Sequence, residues 1–194
     1  MKIAEVKIET LKLMFANEGA MSSANIENYE YDPTYADYMT KMNGSIARCI
    51  SRMATLKKLP CKVVAVTAKK SGENWVLDLS HIDDLYQVCR VDSENITNKE
   101  YREITNTLIK VDRMGEYEVV YHPLGQEITA TTGNSTDIEL PRFLSSLIPL
   151  YVKGDLLEEE EPNLSASARN QFEAMLADID TSPKQVQRKV RRIV

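Results

Sequence analysis

Apolar positions divide the chain into three stretches: a helical period, then short alternating runs, then a helical period again. Over residues 35–56, Tyr38, Met42, Ile46, Cys49, Ile50, Met53 and Leu56 recur at three- and four-residue steps, which puts them on one face of an α-helix. Asp32 and Pro33 announce this helix by placing proline in its first turn. Lys57 and Lys58 end it, with cations at the negative end of the helix dipole. An earlier helix is predicted from Ile3 to about Ala16, with Ile3, Val6, Leu11, Met14 and Phe15 near one face and a stop at Asn17, Glu18 and Gly19. Residues 18–34 are polar and read as a loop.

From Pro60 to about Glu139 the pattern is that of antiparallel strands. Residues 61–67 are β-branched, 69–74 are turn material, and Trp75, Leu77 and Leu79 alternate with Val76 and Asp78 as a strand with one buried face requires. Residues 86–91 form another candidate strand. Residues 107–111, the Met114-Gly115 pair and residues 117–121 read as a hairpin, ended by Pro123 because proline cannot donate to a ladder.

The helical period returns at Pro141, in a first-turn position. Leu140, Phe143, Leu144, Leu147, Ile148, Tyr151 and Val152 form one stripe, within which Pro149 predicts a kink. A further helix is expected after Pro162, carrying Leu164, Ala168, Phe172, Met175, Leu176 and Ile179. Ser182 and Pro183 signal a last, basic helix with Val186, Val190 and Ile193 or Val194 as a narrow apolar stripe. The expected fold class is therefore α+β: residues 1–59 and 140–194 form a helical bundle into which residues 60–139 are inserted as an antiparallel β module.

Composition changes this picture little. The 194 residues are 43% hydrophobic and 27% charged, ordinary for a globular protein. No apolar run approaches the ~18 residues that span a bilayer, and the first nine residues lack the continuous apolar stretch of a signal peptide. No membrane partner is expected. Cys49, Cys61 and Cys89 are odd in number and show no CxxC spacing, so free, buried thiols in a reducing cytoplasm are the expectation.

Charge changes it more. The net charge of −5 conceals a basic tail: residues 181–194 hold Lys184, Arg188, Lys189, Arg191 and Arg192 and no acid, leaving 19 basic against 29 acidic side chains elsewhere. Tail and body are thus expected to meet different partners. The tail has three readings: phosphate binding to nucleic acid, an amphipathic helix docking into a partner's groove, or a solvated terminus. It has no aromatic residue for base stacking.

No catalytic constellation stands out, so no enzyme activity and no cofactor are expected. His81 and His122 have no histidine or cysteine at metal-ligand spacing and read as turn or surface residues, without a zinc site. Neither a nucleophile elbow nor a phosphate-binding glycine loop occurs. Glu158, Glu159, Glu160 and Glu161 are contiguous, so their carboxylates diverge instead of converging on a cation. Repeated around a ring, they would make a strongly negative surface.

The run from Leu140 through Pro141, Phe143, Ile148, Pro149 and Tyr151 to Asp155, the four glutamates, and then Pro162, Arg169, Asn170, Phe172 and Glu173 resembles the C-terminal helices of head–tail connector (adaptor) proteins of tailed bacteriophages. Residues 35–50 with Leu59 and Pro60 are similar to the helix before that family's β insertion. Leu77 to Ser80, Leu85 and Tyr86, and Gly115 to Tyr121 resemble the insertion itself, and Glu9 to Asn17 fits the first helix. The similarity spans most of residues 1–180.

That resemblance implies a non-enzymatic virion protein in the neck between capsid portal and tail, assembled in the host cytoplasm. It implies a homo-oligomeric ring of about twelve copies under the portal protein, a closed cyclic assembly. Such a ring extends the DNA channel, passes genomic DNA without sequence-specific binding, and docks the tail or a tail-completion protein. On this reading Glu158, Glu159, Glu160 and Glu161 face the channel. The tail docks on the portal through Val186, Arg188, Lys189, Val190, Arg191, Arg192 and Ile193. The alternatives are a tail-completion or stopper protein of the same region, and a DNA-binding regulator that uses the basic tail.

Overall fold

A computed structural model describes residues 1–15, 21–93 and 101–179. The helices are α1 (Ile3–Phe15), α2 (Ile26–Tyr31), α3 (Ala36–Thr55), α4 (Arg142–Ser145), α5 (Ile148–Leu156) and α6 (Pro162–Ala177). The strands are β1 (Lys62–Thr67), β2 (Lys69–Ser71), β3 (Asn74–Asp78), β4 (Leu85–Ser93), β5 (Arg102–Thr105), β6 (Leu108–Val111) and β7 (Glu116–Pro123). The fold is α+β.

Helix α3 is the spine of the helical part. Met42, Ile46, Cys49, Ile50 and Met53 are buried along one face. They join Ile3, Val6 and Leu11 of α1, Ile148 and Val152 of α5, and Phe172 and Leu176 of α6 in one apolar cluster. Each large aliphatic side chain buried there contributes roughly 1.5–3 kcal/mol of transfer free energy. The end of α3 is closed by two backbone bonds, Lys57 N–H to the Ala54 carbonyl and Lys58 N–H to the Met53 carbonyl, both 2.8 Å. This closure puts Lys57 at φ 56°, a left-handed position usually held by glycine.

Several local expectations are corrected. The segment read as a loop contains α2 as well as a 3₁₀ turn, Ser23–Asn25, where the Ser22 hydroxyl accepts from Ala24 N–H at 3.3 Å. The helix stop at Asn17 to Gly19 lies outside the described residues. Pro33 sits in a turn ahead of α3 instead of in its first turn. That turn is closed by Tyr35 and Ala36 N–H donating to the Asp32 carbonyl, both at 2.9 Å. Pro141 likewise occupies the cap before α4. Pro149 does not kink a helix: α4 stops at Ser145 and α5 restarts at Ile148, so the proline falls in a first turn, where its missing N–H costs nothing.

The strands form two antiparallel sheets, β1-β7-β4 and β2-β3-β6-β5. They share a core of Val66, Leu77, Leu79, Val88, Val91, Ile109, Val111, Tyr117 and Val119. The expected hairpin does not form. Strand β6 pairs with β3 and β5, while β7 pairs with β1 and β4. Alternation identifies which face of a strand is buried, not which strand lies beside it. Residues 69–71, read as turn material, are β2. The turn is confined to Gly72 and Glu73, with Gly72 at φ 62°. Strand β3 buries adjacent Val76 and Leu77, so it lacks the single buried face expected of it.

Residues 124–139, grouped with the β module in the sequence reading, pack on the helices. Ile128 and Ile138 belong to the helical cluster, and Lys2 bridges to Asp137. The Asn43 amide nitrogen on α3 donates to the carbonyls of Thr129, Ala130 and Thr132 at 3.1, 3.3 and 3.0 Å. Gly125 lies so close to α3 that a Cβ there would sit 2.1 Å from Ile50 Cγ2. A buried cation ties the other side. Lys7 is 3.7 Å from Glu30, which also accepts from Asn134 Nδ2 at 2.7 Å.

Gly125→Ala is expected to destabilise the protein by about 1–3 kcal/mol through overpacking against Ile50, read from the urea midpoint. Glu30→Gln strands the buried Lys7 ammonium. Its cost is expected at the low end of the ~3–5 kcal/mol for breaking a buried pair, because Glu30 keeps some exposure; an unchanged midpoint would show that Lys7 finds solvent without it.

Candidate functional site

The four glutamates 158–161 occupy an exposed turn between α5 and α6. The turn is closed by Glu161 N–H donating to the Leu157 carbonyl at 2.9 Å, and Ser165 N–H donates to the Glu161 carbonyl at 3.0 Å as α6 begins. Pro162 opens that helix without needing a donor. Behind the turn, Gly154 lets the two helices approach closely: a Cβ there would lie 2.8 Å from Arg169 Cγ and 3.2 Å from the Ser165 carbonyl oxygen. The Ser165 hydroxyl donates to the Gly154 carbonyl at 2.5 Å across this contact.

Two of the glutamates are braced, by residues of different helices. Glu158 receives both arms of Arg169, at 3.1 and 2.6 Å, a bidentate geometry stronger than a single charged bond. Asp155 sits beneath, between Arg48 and Arg169. Glu160 instead accepts the Tyr38 hydroxyl from α3. That bond, then burial and the charges of Glu160, Asp37 and Glu161, push the Tyr38 phenol up to about 12. The carboxylates of Glu159 and Glu161 make no hydrogen bond or ion pair with any described residue. Contiguous carboxylates therefore diverge, and the turn is a negative projection held in place at Glu158 and Glu160.

The cysteines and histidines are placed differently from the expectation. All three thiols are free, but only Cys49 is fully buried. His81 is in an exposed turn, whereas His122 is half-buried on β7. Cys61 leads into β1 and Cys89 lies on β4, the two strands flanking β7. The Sγ atoms of Cys61 and Cys89 are 3.8 Å apart, and Cys61 Sγ is 3.5 Å from His122 Nδ1. His122 has no cysteine at metal-ligand spacing along the chain, yet Cys61 lies beside it, because strand pairing joins residues that sequence spacing separates. Burial and then the neighbouring Cys61 push the Cys89 thiol up to about 12. Burial and then the charge of Lys57 hold the His122 imidazole below its usual value.

The tail residues Val186, Arg188, Lys189, Val190, Arg191, Arg192 and Ile193 lie outside the described residues. Among the described residues no helix is long and apolar enough to cross a membrane. No protein-family model matches the chain, and no curated protein matches it significantly.

The Tyr38–Glu160 bond has a pH signature. Between pH 10 and about 12 the unfolded phenol ionises while the folded one keeps its proton, so this contribution to stability is lost as pH rises through that window. Tyr38→Phe lacks the loss. Chemical unfolding of both proteins is expected to show the wild-type advantage narrowing over this range; a constant difference would mean that the bond does not hold the proton.

Proposed function

We propose that this chain is the subunit of a head–tail connector ring of a tailed bacteriophage, a structural virion protein with no catalytic step. The observation that carries the reading is the acidic turn: Glu158 and Glu160 are fixed by Arg169 and Tyr38, while Glu159 and Glu161 are exposed and make no ion pair among the described residues. In a closed ring of about twelve copies, one such turn per subunit sums to a band of negative potential. Negative walls repel phosphate, so DNA passes along the channel without adhering.

The division of the chain into two apolar cores supports the same reading. The helical cluster and the β sandwich present separate surfaces, as a subunit needs when it meets ring neighbours on two flanks and other proteins above and below. A ring interface is head-to-tail, so it requires two different complementary patches. Helix α6 offers one candidate: Leu164 and Met175 are exposed and eleven residues apart, on one flank beside the buried stripe. The basic tail, with Val186, Val190 and Ile193 as anchors, is the segment proposed to dock on the portal, and the tail or a completion protein binds the opposite face.

Native mass spectrometry of the full chain, alone and mixed with the portal protein of the same virus, tests the reading. The expected result is a subunit that assembles stoichiometrically into a twelve-membered ring on the portal, with binding lost when residues 181–194 are removed. A six-membered ring moves the assignment to a stopper or terminator of the same region. Absence of portal binding, with salt-dependent DNA binding through the tail instead, replaces it with the regulator reading.

A further inference from the structure

We propose that Cys61, Cys89 and His122 form a binding site for a thiolate-preferring metal ion of the Zn²⁺ class, placed where the β module joins the helices. The three residues come from neighbouring strands, with His122 on the central one, and their donor atoms all lie within 4.8 Å of one another. Inward-facing Val66, Val119, Val88 and Val91 fill the sandwich core. Strand alternation then puts Cys61 and His122 together on the outer face of this sheet, and Cys89 reaches the same group from β4. The register irregularity between Val88 and Arg90 falls at Cys89, and a bulge of this kind re-aims a side chain.

The spacing fits an ion. Two thiolates bound at ~2.3 Å on a tetrahedral Zn²⁺ lie about 3.8 Å apart, and a thiolate and an imidazole nitrogen about 3.5 Å apart. The observed separations are 3.8 Å for the two sulfurs and 3.5 Å for Cys61 Sγ and His122 Nδ1. The donor set selects against hard cations: Mg²⁺ and Ca²⁺ take oxygen ligands, whereas two sulfurs and an imidazole suit Zn²⁺ or Cu⁺. Three protein ligands leave a fourth position. Because all three residues are only half-buried, that position is within reach of water or of a donor from an adjoining chain.

A disulfide is the competing use of the same sulfurs. Both thiols are free, and their 3.8 Å separation is well beyond an S–S bond of about 2.05 Å. An ion held by bonds of ~2.3 Å to each sulfur spans that gap without further approach. The site also has a structural consequence. Cys61 follows Leu59 and Pro60 at the exit from α3, and His122 precedes the return through Pro123 to Gly125. An ion there would clip exit, return and β4 together.

The test uses the full chain, reduced, stripped of metal and kept anaerobic, titrated with Co²⁺ and then Zn²⁺. The expected result is one Co²⁺ per chain, with the strong visible bands of a tetrahedral site and a thiolate-to-cobalt charge-transfer band, all displaced by one equivalent of Zn²⁺. Cys61→Ser and Cys89→Ser should each lose the stoichiometric binding and His122→Ala should weaken it, while Cys49→Ala keeps it. A measurement without variants guards against misfolding: Zn²⁺ should protect Cys61 and Cys89, but not Cys49, from alkylation read by peptide mass spectrometry. Weak octahedral bands, binding that survives Cys61→Ser, alkylation unchanged by Zn²⁺, or a Cys61–Cys89 disulfide that forms equally fast with Zn²⁺ present would each overturn the proposal.

Discussion

The fold depends on keeping two chain crossings side by side. The β module is entered after α3 and left before residue 124, so its first and last strands must both start from the helical core. They are paired with each other: Lys62 lies opposite Tyr121 and Val63 opposite Val120, which holds exit and return one strand spacing apart, about 4.8 Å. On the helical side the return segment is seated by contact rather than by regular structure. Gly125 lies against Ile50, and the Asn43 amide is shared among three carbonyls of residues 129–132. The orientation of that amide is not arbitrary, since turning it over would aim its oxygen at three acceptors. With the return held, residues 134–137 reach α1 through Ala4 N–H to the Asn134 carbonyl and Ile3 N–H to the Thr136 carbonyl, both 3.0 Å. The N-terminal helix is thereby fastened to a segment more than a hundred residues away.

This arrangement explains which parts of the fold could be read from the chain. Helix α3 was legible because its core contacts lie on one strongly periodic face, from Met42 to Met53. Helix α6 was legible for the same reason, with Pro162 marking its start. Strands β2 and β5 were not, because all their residues are exposed and an exposed strand leaves no apolar signature. Pro149 misled because an apolar stripe continues across it. Alternation cannot distinguish one interrupted helix from two short helices packed on the same core. The pairing of β6 and β7 failed at a different level. Both strands were found, but their partners come from the crossing between sheets, which no local pattern encodes.

The two candidate sites divide along the same line. The acidic turn was visible as a run of four glutamates before a proline. What was hidden is that distant residues sort them: Arg169 takes Glu158, Tyr38 takes Glu160, and the other two have no partner among the described residues. Net charge counts all four alike, yet the Arg169 ion pair offsets Glu158, so the field of the turn rests mainly on Glu159, Glu160 and Glu161. The Cys61, Cys89 and His122 group was invisible because its members are 28 and 33 residues apart on three strands. Metal motifs recognised by spacing come from residues close in sequence on one turn or hairpin. The only route to this group runs through the order β1-β7-β4, which puts the central His122 strand between the two cysteine strands.

Lys57 links the junction to the local cost of building it. A non-glycine residue in the left-handed region is disfavoured by roughly 1–2 kcal/mol relative to the right-handed one, and glycine at this position would remove that cost. The closure that demands it also carries the Lys57 charge to where it acts on both Cys89 and His122. Glycine would relax the backbone but bring no charge. The Lys57 charge disfavours protonation of the His122 imidazole, which leaves its nitrogen lone pair free. The end of α3 therefore does more than stop a helix: it delivers a positive charge to the point where the chain enters and leaves the β module.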